Sequence, residues 1–203
     1  MENKKVKILA ASDVHGDSSQ FSRLAERAEK ENVDLVVLCG DLTSQLQTSN
    51  IIKPFVDKGK RVLLVPGNHD GLATGDFLAD FYKVKNLHGN YALYYDVGLF
   101  GCGLANVGAD SLTEDEFYEI LKNGFMKVKA ARKKIMVTHI HPDGTIVDKI
   151  EAGLGSSGVR KAVDAFKPDL VLCGHVHSAA GVEDFIGNTR VINVGRNGKI
   201  IEL

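Results

Sequence analysis

Five short polar clusters punctuate the sequence, each directly after an apolar run: Asp13-Val14-His15, Gly40-Asp41, Gly67-Asn68-His69-Asp70, His139, and Gly174-His175-Val176-His177. Five of the seven histidines lie in them. Imidazole nitrogen mixed with carboxylate oxygen suits transition ions such as Mn, Fe, Co, Ni or Zn better than Ca. Taken singly, each cluster has an ordinary reading. Asp-x-His is usually a turn, Gly-Asp a turn or helix cap, a lone His a hydrogen-bonded structural residue, and Asn-His-Asp an Asx-turn. Five in order, each ending an apolar run, have no easy structural explanation, and together they read as a metal centre.

The elements between the clusters say how these residues are positioned. Val6 to Ala11, Leu35 to Leu38 and Arg61 to Val65 are strand-like apolar runs, separated by a helix from Ser18 or Ser19 to about Lys30 and another near Ser49 to Lys58. Phe21, Leu24, Ala25 and Ala28 fall on one face of the first helix. Continuous apolar strands alternating with amphipathic helices predict a parallel sheet covered on both faces. Ligands in such folds bind beyond the carboxyl ends of the strands, where these clusters stand. Residues 72–90 read as a short helix and loop, and Tyr91 to Asp96 and Leu99 to Gly103 as strands. Thr113 with Glu116 forms a capping box for a helix toward Ala131. Ile135 to Thr138 is a further strand, Ser156 or Ser157 caps a helix to about Phe166, and Leu170 to Cys173 is a strand. The tail, Gly181 to Ile186, Arg190 to Val194 and Lys199 to Leu203, reads as hairpin strands joined by short polar turns. The class is a mixed α/β fold in one domain, residues 1–203.

The totals fit an ordinary globular chain: 203 residues, 44% hydrophobic and 25% charged. A formal net charge of −1 gives no global field toward nucleic acid or anionic membrane. Cys39, Cys102 and Cys173 form no CxxC pair and are odd in number, which points to a reducing, cytoplasmic setting with buried thiols. No apolar run approaches the roughly 20 residues of a membrane helix. The first run, Ile8 to Ala11, is too short for a signal-peptide core.

The clusters in this order, D-x-H, G-D, G-N-H-D, H and G-H-x-H, resemble the signature of the calcineurin-like metallophosphoesterase superfamily, from residue 13 to 177. The resemblance implies two stacked mixed sheets flanked by helices, a four-layer sandwich. It also implies two divalent metal ions, one held by Asp13, His15 and His177, the other by Asn68, His139 and His175, with Asp41 bridging. His69 would contact phosphate or protonate the leaving oxygen, and Asp70 would orient His69, as carboxylates orient imidazoles elsewhere. The implied activity is phosphoester hydrolysis by a hydroxide held between the metals. Two divalent ions against the carboxylates of Asp13 and Asp41 leave about plus two, which one hydroxide and one phosphodiester anion neutralise. The charge therefore leans toward diesters and a small phosphoester substrate, with no membrane or nucleic-acid partner and homo-oligomer formation left open.

Two other readings compete. A non-catalytic scaffold of this fold, as in a retromer subunit, would be marked by lost ligands or a lost catalytic His, and none is lost. A nuclease like the DNA-repair members would carry a capping domain and a basic stripe, which this length and charge do not provide. Leu42-Thr43 after Gly40-Asp41 departs from the extension of the protein serine/threonine phosphatases, and His139 is not followed by the Pro-Pro pair of many small members. His141 reads as a solvent-facing loop residue, with a contact to substrate or to a supporting partner as the alternative. His88 reads as structural, Gly155 to Gly158 as plain capping, and residues 72–90 and 104–112 as pocket rims.

Overall fold

The computed structural model describes residues 5–44, 50–151 and 153–203. Its first sheet orders as β11-β1-β2-β3-β4, from β1 (Lys7–Ala11), β2 (Leu35–Cys39), β3 (Arg61–Val65), β4 (Lys85–Asn86) and β11 (Lys199–Glu202). The second orders as β5-β6-β7-β8-β10-β9, from β5 (Tyr91–Tyr94), β6 (Val97–Cys102), β7 (Lys133–Thr138), β8 (Leu170–Cys173), β9 (Glu183–Ile186) and β10 (Thr189–Asn193). Strands β1 to β4 run parallel, as do β6, β7, β8 and β10, while β5, β9 and β11 pair antiparallel at the edges.

The sheets stack face to face because their central strands are apolar on both sides. Ile8, Ala10, Leu35, Val37, Leu63 and Val65 meet Leu99, Ile135, Val137, Leu170, Leu172 and Ile192 between the sheets. The alternate residues of the first sheet, Leu9, Ala11, Val36, Leu38 and Leu64, pack on Phe21, Leu24, Phe55 and Leu78 from α1 (Ser18–Lys30), α2 (Lys53–Asp57) and α3 (Leu72–Tyr82). Phe100, Met136, Val171 and Val191 pack on Phe117, Leu121, Val159 and Val163 from α4 (Glu114–Val128) and α6 (Ser157–Phe166). The period-two alternation of strand side chains thus feeds two cores, which is why these strands read as unbroken hydrophobic runs. A short α5 (Ile146–Ile150) precedes α6. Among the described residues, no helix is long and apolar enough to cross a membrane.

Several boundaries differ from expectation. Asp17, not Ser18 or Ser19, caps α1, its carboxylate accepting from Gln20 N at 3.0 Å; Asp is as good a cap as Ser and stands first. The expected helix from Ser49 is shorter, since α2 begins only at Lys53 with Pro54 in its first turn; Ser49 itself lies outside the described residues. The Thr113–Glu116 capping box and the Ser156 cap form, and α4 ends at Val128. The tail is not a run of hairpins. Strands β9 and β10 form one, but β10 lies parallel to β8 and β11 crosses to pair with β1.

Candidate metal centre

The carboxyl ends of β1, β2 and β3 face those of β7 and β8, and the five clusters meet in that seam. Four cluster residues sit in the left-handed region, Asp13 at φ 57°, His15 at 50°, Asp41 at 53° and His175 at 71°. This conformation is uncommon outside glycine, and such residues collect at functional sites. It lets each chain turn sharply off its strand and present a side chain to the seam. Backbone bonds lock the turns together: Asp13 N donates to Gly40 O at 2.9 Å, His15 N to Asp41 O at 2.9 Å and Gly174 N to His139 O at 2.8 Å. Gly67 is required for close approach, because a Cβ there would fall on the backbone nitrogen and Oδ1 of Asp41.

Two buried carboxylates anchor the site. Asp13 is 4% exposed and Asp41 2%. Asp13 accepts from Ser12 Oγ at 2.5 Å and from His175 N at 3.2 Å, and lies 3.5 Å from His177 Nε2. Oδ2 of Asp41 lies 3.4 Å from His139 Nε2, 3.7 Å from His15 Nε2 and 3.9 Å from His69 Nε2, while its Oδ1 accepts from His69 N at 3.0 Å. His15 and His177 bring their Nε2 atoms to 3.2 Å of each other. On the other side, His139 Nε2 is 3.0 Å from Asn68 Oδ1, and its ring lies 5.1 Å from that of His175. All seven expected ligand residues are thus gathered in the seam. His69 lies at its open side, 63% exposed at the side chain, with its ring centroid 5.3 Å from that of His15.

The electrostatics suit metal. Burial alone would raise the Asp41 carboxyl, but the hydrogen bond and charge of His139 and the His69 N–H outweigh it and bring it down to about 2. Burial would lower His139, yet Asp41, Asp13 and the Cys39 carbonyl hold it up at about 9. Burial and then His139 push His175 down to about 4, and burial lowers His15. His175 and His15 therefore offer neutral imidazole lone pairs, and the proton on His139 stands where a metal ion would compensate the two carboxylates. The ligand atoms of Asp13, His15 and His177 lie within 4.8 Å of one another, as do those of Asp13, Asp41 and His139. His139 Nδ1 meets the Cys39 carbonyl at 2.8 Å, the outer contact that fixes a ligating imidazole's tautomer.

Asp70 does not meet its expected partner. Its oxygens accept from Leu42 N, Thr43 N, Thr43 Oγ1 and Gly67 N, at 2.7–3.1 Å. No Asp70–His69 hydrogen bond occurs among the described residues. Adjacent side chains in this turn point opposite ways, so Asp70 clamps the 41–43 and 67–70 loops while His69 faces out. Asp70→Ala would leave these donors without their acceptor, at about 3 kcal/mol in all once the loops relax. The expected result is a melting temperature lower by roughly 6–12 °C for a chain of this size. Full turnover loss with an unshifted melting curve would instead restore the His69-orienting role.

His141 corrects a second expectation. It is fully buried, not solvent-facing, with Nε2 2.8 Å from Asp148 Oδ1. Asp148 also accepts from Gly144 N and Thr145 N, so the pair pins the 142–148 loop beside the site. His88 is structural as expected, its Nδ1 accepting from Gly103 N at 3.1 Å. Ser12 and Asp148 had no local sequence signal, because their partners are set by the fold.

A family model described as calcineurin-like phosphoesterase matches residues 6–179. No curated protein matches the chain. Among solved structures, a protein of Thermus thermophilus superposes with a TM-score of 0.75 at 19% identity, over 95% of this chain and 90% of its own. A dimetal phosphatase from Danio rerio gives 0.67 at 10% identity, over 93% and 86%. A structure described as a novel archaeal phosphodiesterase gives 0.52 at 19% identity, over 98% and 100%. At these identities the likeness is one of fold.

Proposed function

The chain belongs to the calcineurin-like phosphoesterase family, and from that premise we propose that it hydrolyses small phosphoesters, preferentially phosphodiesters, with two divalent transition ions. The observation that carries this reading is the pair of buried carboxylates, Asp13 and Asp41, each faced by imidazole nitrogens. In this reading Asp13, His15 and His177 hold one ion, and Asn68, His139 and His175 the other. Asp41, whose Oδ2 faces His15 and His139 alike, serves both. Ions of the Mn, Fe, Co, Ni or Zn type would supply Lewis acidity toward phosphate oxygens and a hydroxide nucleophile at neutral pH.

The remaining steps belong to the chain. The His69 N–H bond to Asp41 Oδ1 fixes the backbone at His69, so that its ring stands at the open side, able to contact phosphate and protonate the departing oxygen. The Asp70 clamp keeps Asp41, Asn68 and His69 in register. Only two of the seven ligands are anionic, so the loaded centre keeps a net positive charge suited to one phosphodiester anion. The free, buried Cys39, Cys102 and Cys173 support a reducing cytoplasmic setting.

The test is metal removal and return. Chelator-stripped protein is expected to be inactive and to regain hydrolysis of a chromogenic phosphodiester with Mn, Co, Ni or Zn, more efficiently than of the matching monoester. No metal-dependent hydrolysis of either ester overturns the enzyme reading in favour of a binding scaffold. A monoester preference overturns the diester assignment alone.

A further inference from the structure

The turn between β10 and β11 is held more firmly than a surface turn requires. Gly195 O accepts from Ser12 N at 3.1 Å, tying the turn to the residue before Asp13. Gln20 Nε2 donates to Arg196 O at 2.9 Å, and Arg27 Nη1 to the carbonyls of Asn197 and Gly198 at 3.0 and 3.1 Å. Arg23 Nε in turn donates to Gln20 Oε1 at 2.9 Å. Residues 20, 23 and 27 share one side of α1, so the helix holds the turn along its length. Gly195, at φ 60°, lies so close to Ala180 that a Cβ would meet the alanine methyl at 2.5 Å.

This turn carries Arg196 to the metal centre. Arg196 lines a cavity of about 120 Å³ with Asp13, His15, His177, Ala180 and Gly195. Its Nη2 meets Asp17 at 2.7 Å, and among the described residues its Nε and Nη1 make no hydrogen bond. A guanidinium keeps its charge and has five N–H donors in a planar fork matched to oxyanions. The cavity is well below the roughly 300 Å³ of a whole-ligand pocket, so it takes one compact group. A fixed cation beside residues that hold a metal ion is favourable when an anionic group lies between the two.

We propose that Arg196 is a specificity-determining residue that binds a second oxyanion group, carried on the non-leaving arm of a phosphodiester beside the scissile phosphate. The inference rests on the phosphodiesterase reading above. The competing role, a surface ion pair with Asp17, is of a kind worth little to stability, so it predicts no substrate effect.

Two diesters with the same 4-nitrophenyl leaving group separate these roles, one with a propyl arm and one with a 2-carboxyethyl arm. The metal-loaded protein is expected to favour the carboxyethyl ester in kcat/KM by at least about tenfold, mainly through KM. Arg196→Gln should bring that ratio to about one, and Arg196→Lys should leave it between the two, since lysine keeps the charge but not the fork. Calorimetric binding of the corresponding methylphosphonates, in which a P–C bond replaces the scissile P–O bond, gives the same comparison without loss of nitrophenolate. Lost hydrolysis with the binding preference intact overturns the function alone. Equal handling of the two arms by the unaltered protein, or a preference that survives Arg196→Gln, overturns the inference alone.

Discussion

Asp41→Asn is expected to lower turnover at least about a thousandfold, in line with removing a major electrostatic element of a site, and to leave one metal equivalent or fewer bound after dialysis. Asparagine keeps the shape and can keep an oxygen toward His69 N, the bond now 3.0 Å long. What it removes is the charge at Oδ2, which stands 3.4 Å from His139 and 3.7 Å from His15. It also turns an amide donor toward nitrogens that must present lone pairs to a metal. The loss should therefore fall on ion binding, with the loops in place. A second readout is independent of turnover. In the metal-free protein, Asp41 helps to hold His139 at about 9. With that charge gone, the burial of His139 is opposed by less, so its titration in NMR should move down. Full metal content and turnover in Asp41→Asn would remove the bridging assignment. An unmoved His139 titration would show that Asp41 does not supply the counter-charge.

The parts legible in the sequence share a physical cause. Each central strand is buried on both faces, so it appears as a continuous run such as Leu35–Cys39. Each cluster directly follows its strand, so local order places the side chain at a carboxyl end without long-range information. Apart from the helix starts at Asp17 and Lys53, the misreadings fall where partners are distant. Strand β11 follows Arg196-Asn197-Gly198, a turn that suits a hairpin, but the open edge beside β1 claims it. His141 is buried because Asp148 and the segment around Ser156 fold back over it, with Ser156 N donating to its carbonyl at 3.0 Å. Asp70 adjoins His69 in sequence, yet its donors at Leu42 and Thr43 lie 28 and 27 residues earlier. Its bond to Gly67 N, three residues before it, was the one partner within local reach.

That separation of Asp70 from His69 sharpens what His69→Ala should do. With Asp70 committed to the loops, no carboxylate among the described residues is hydrogen-bonded to the His69 ring, and Asp41 Oδ2 stands 3.9 Å from its Nε2. The ring is 63% exposed, at the open side of the seam. Its removal should therefore leave metal content and melting temperature unchanged. Turnover should fall according to the leaving group. A diester that expels an alkoxide needs a proton at the departing oxygen, and loss of a general acid there costs about 10²–10⁴-fold. A diester that expels 4-nitrophenolate needs little protonation, and its loss should be under about tenfold on the same argument. Equal losses for the two esters would make His69 a phosphate contact and not a proton donor. Loss of a metal equivalent would make it a ligand, which would require its ring to swing inward from the open side toward Asp41.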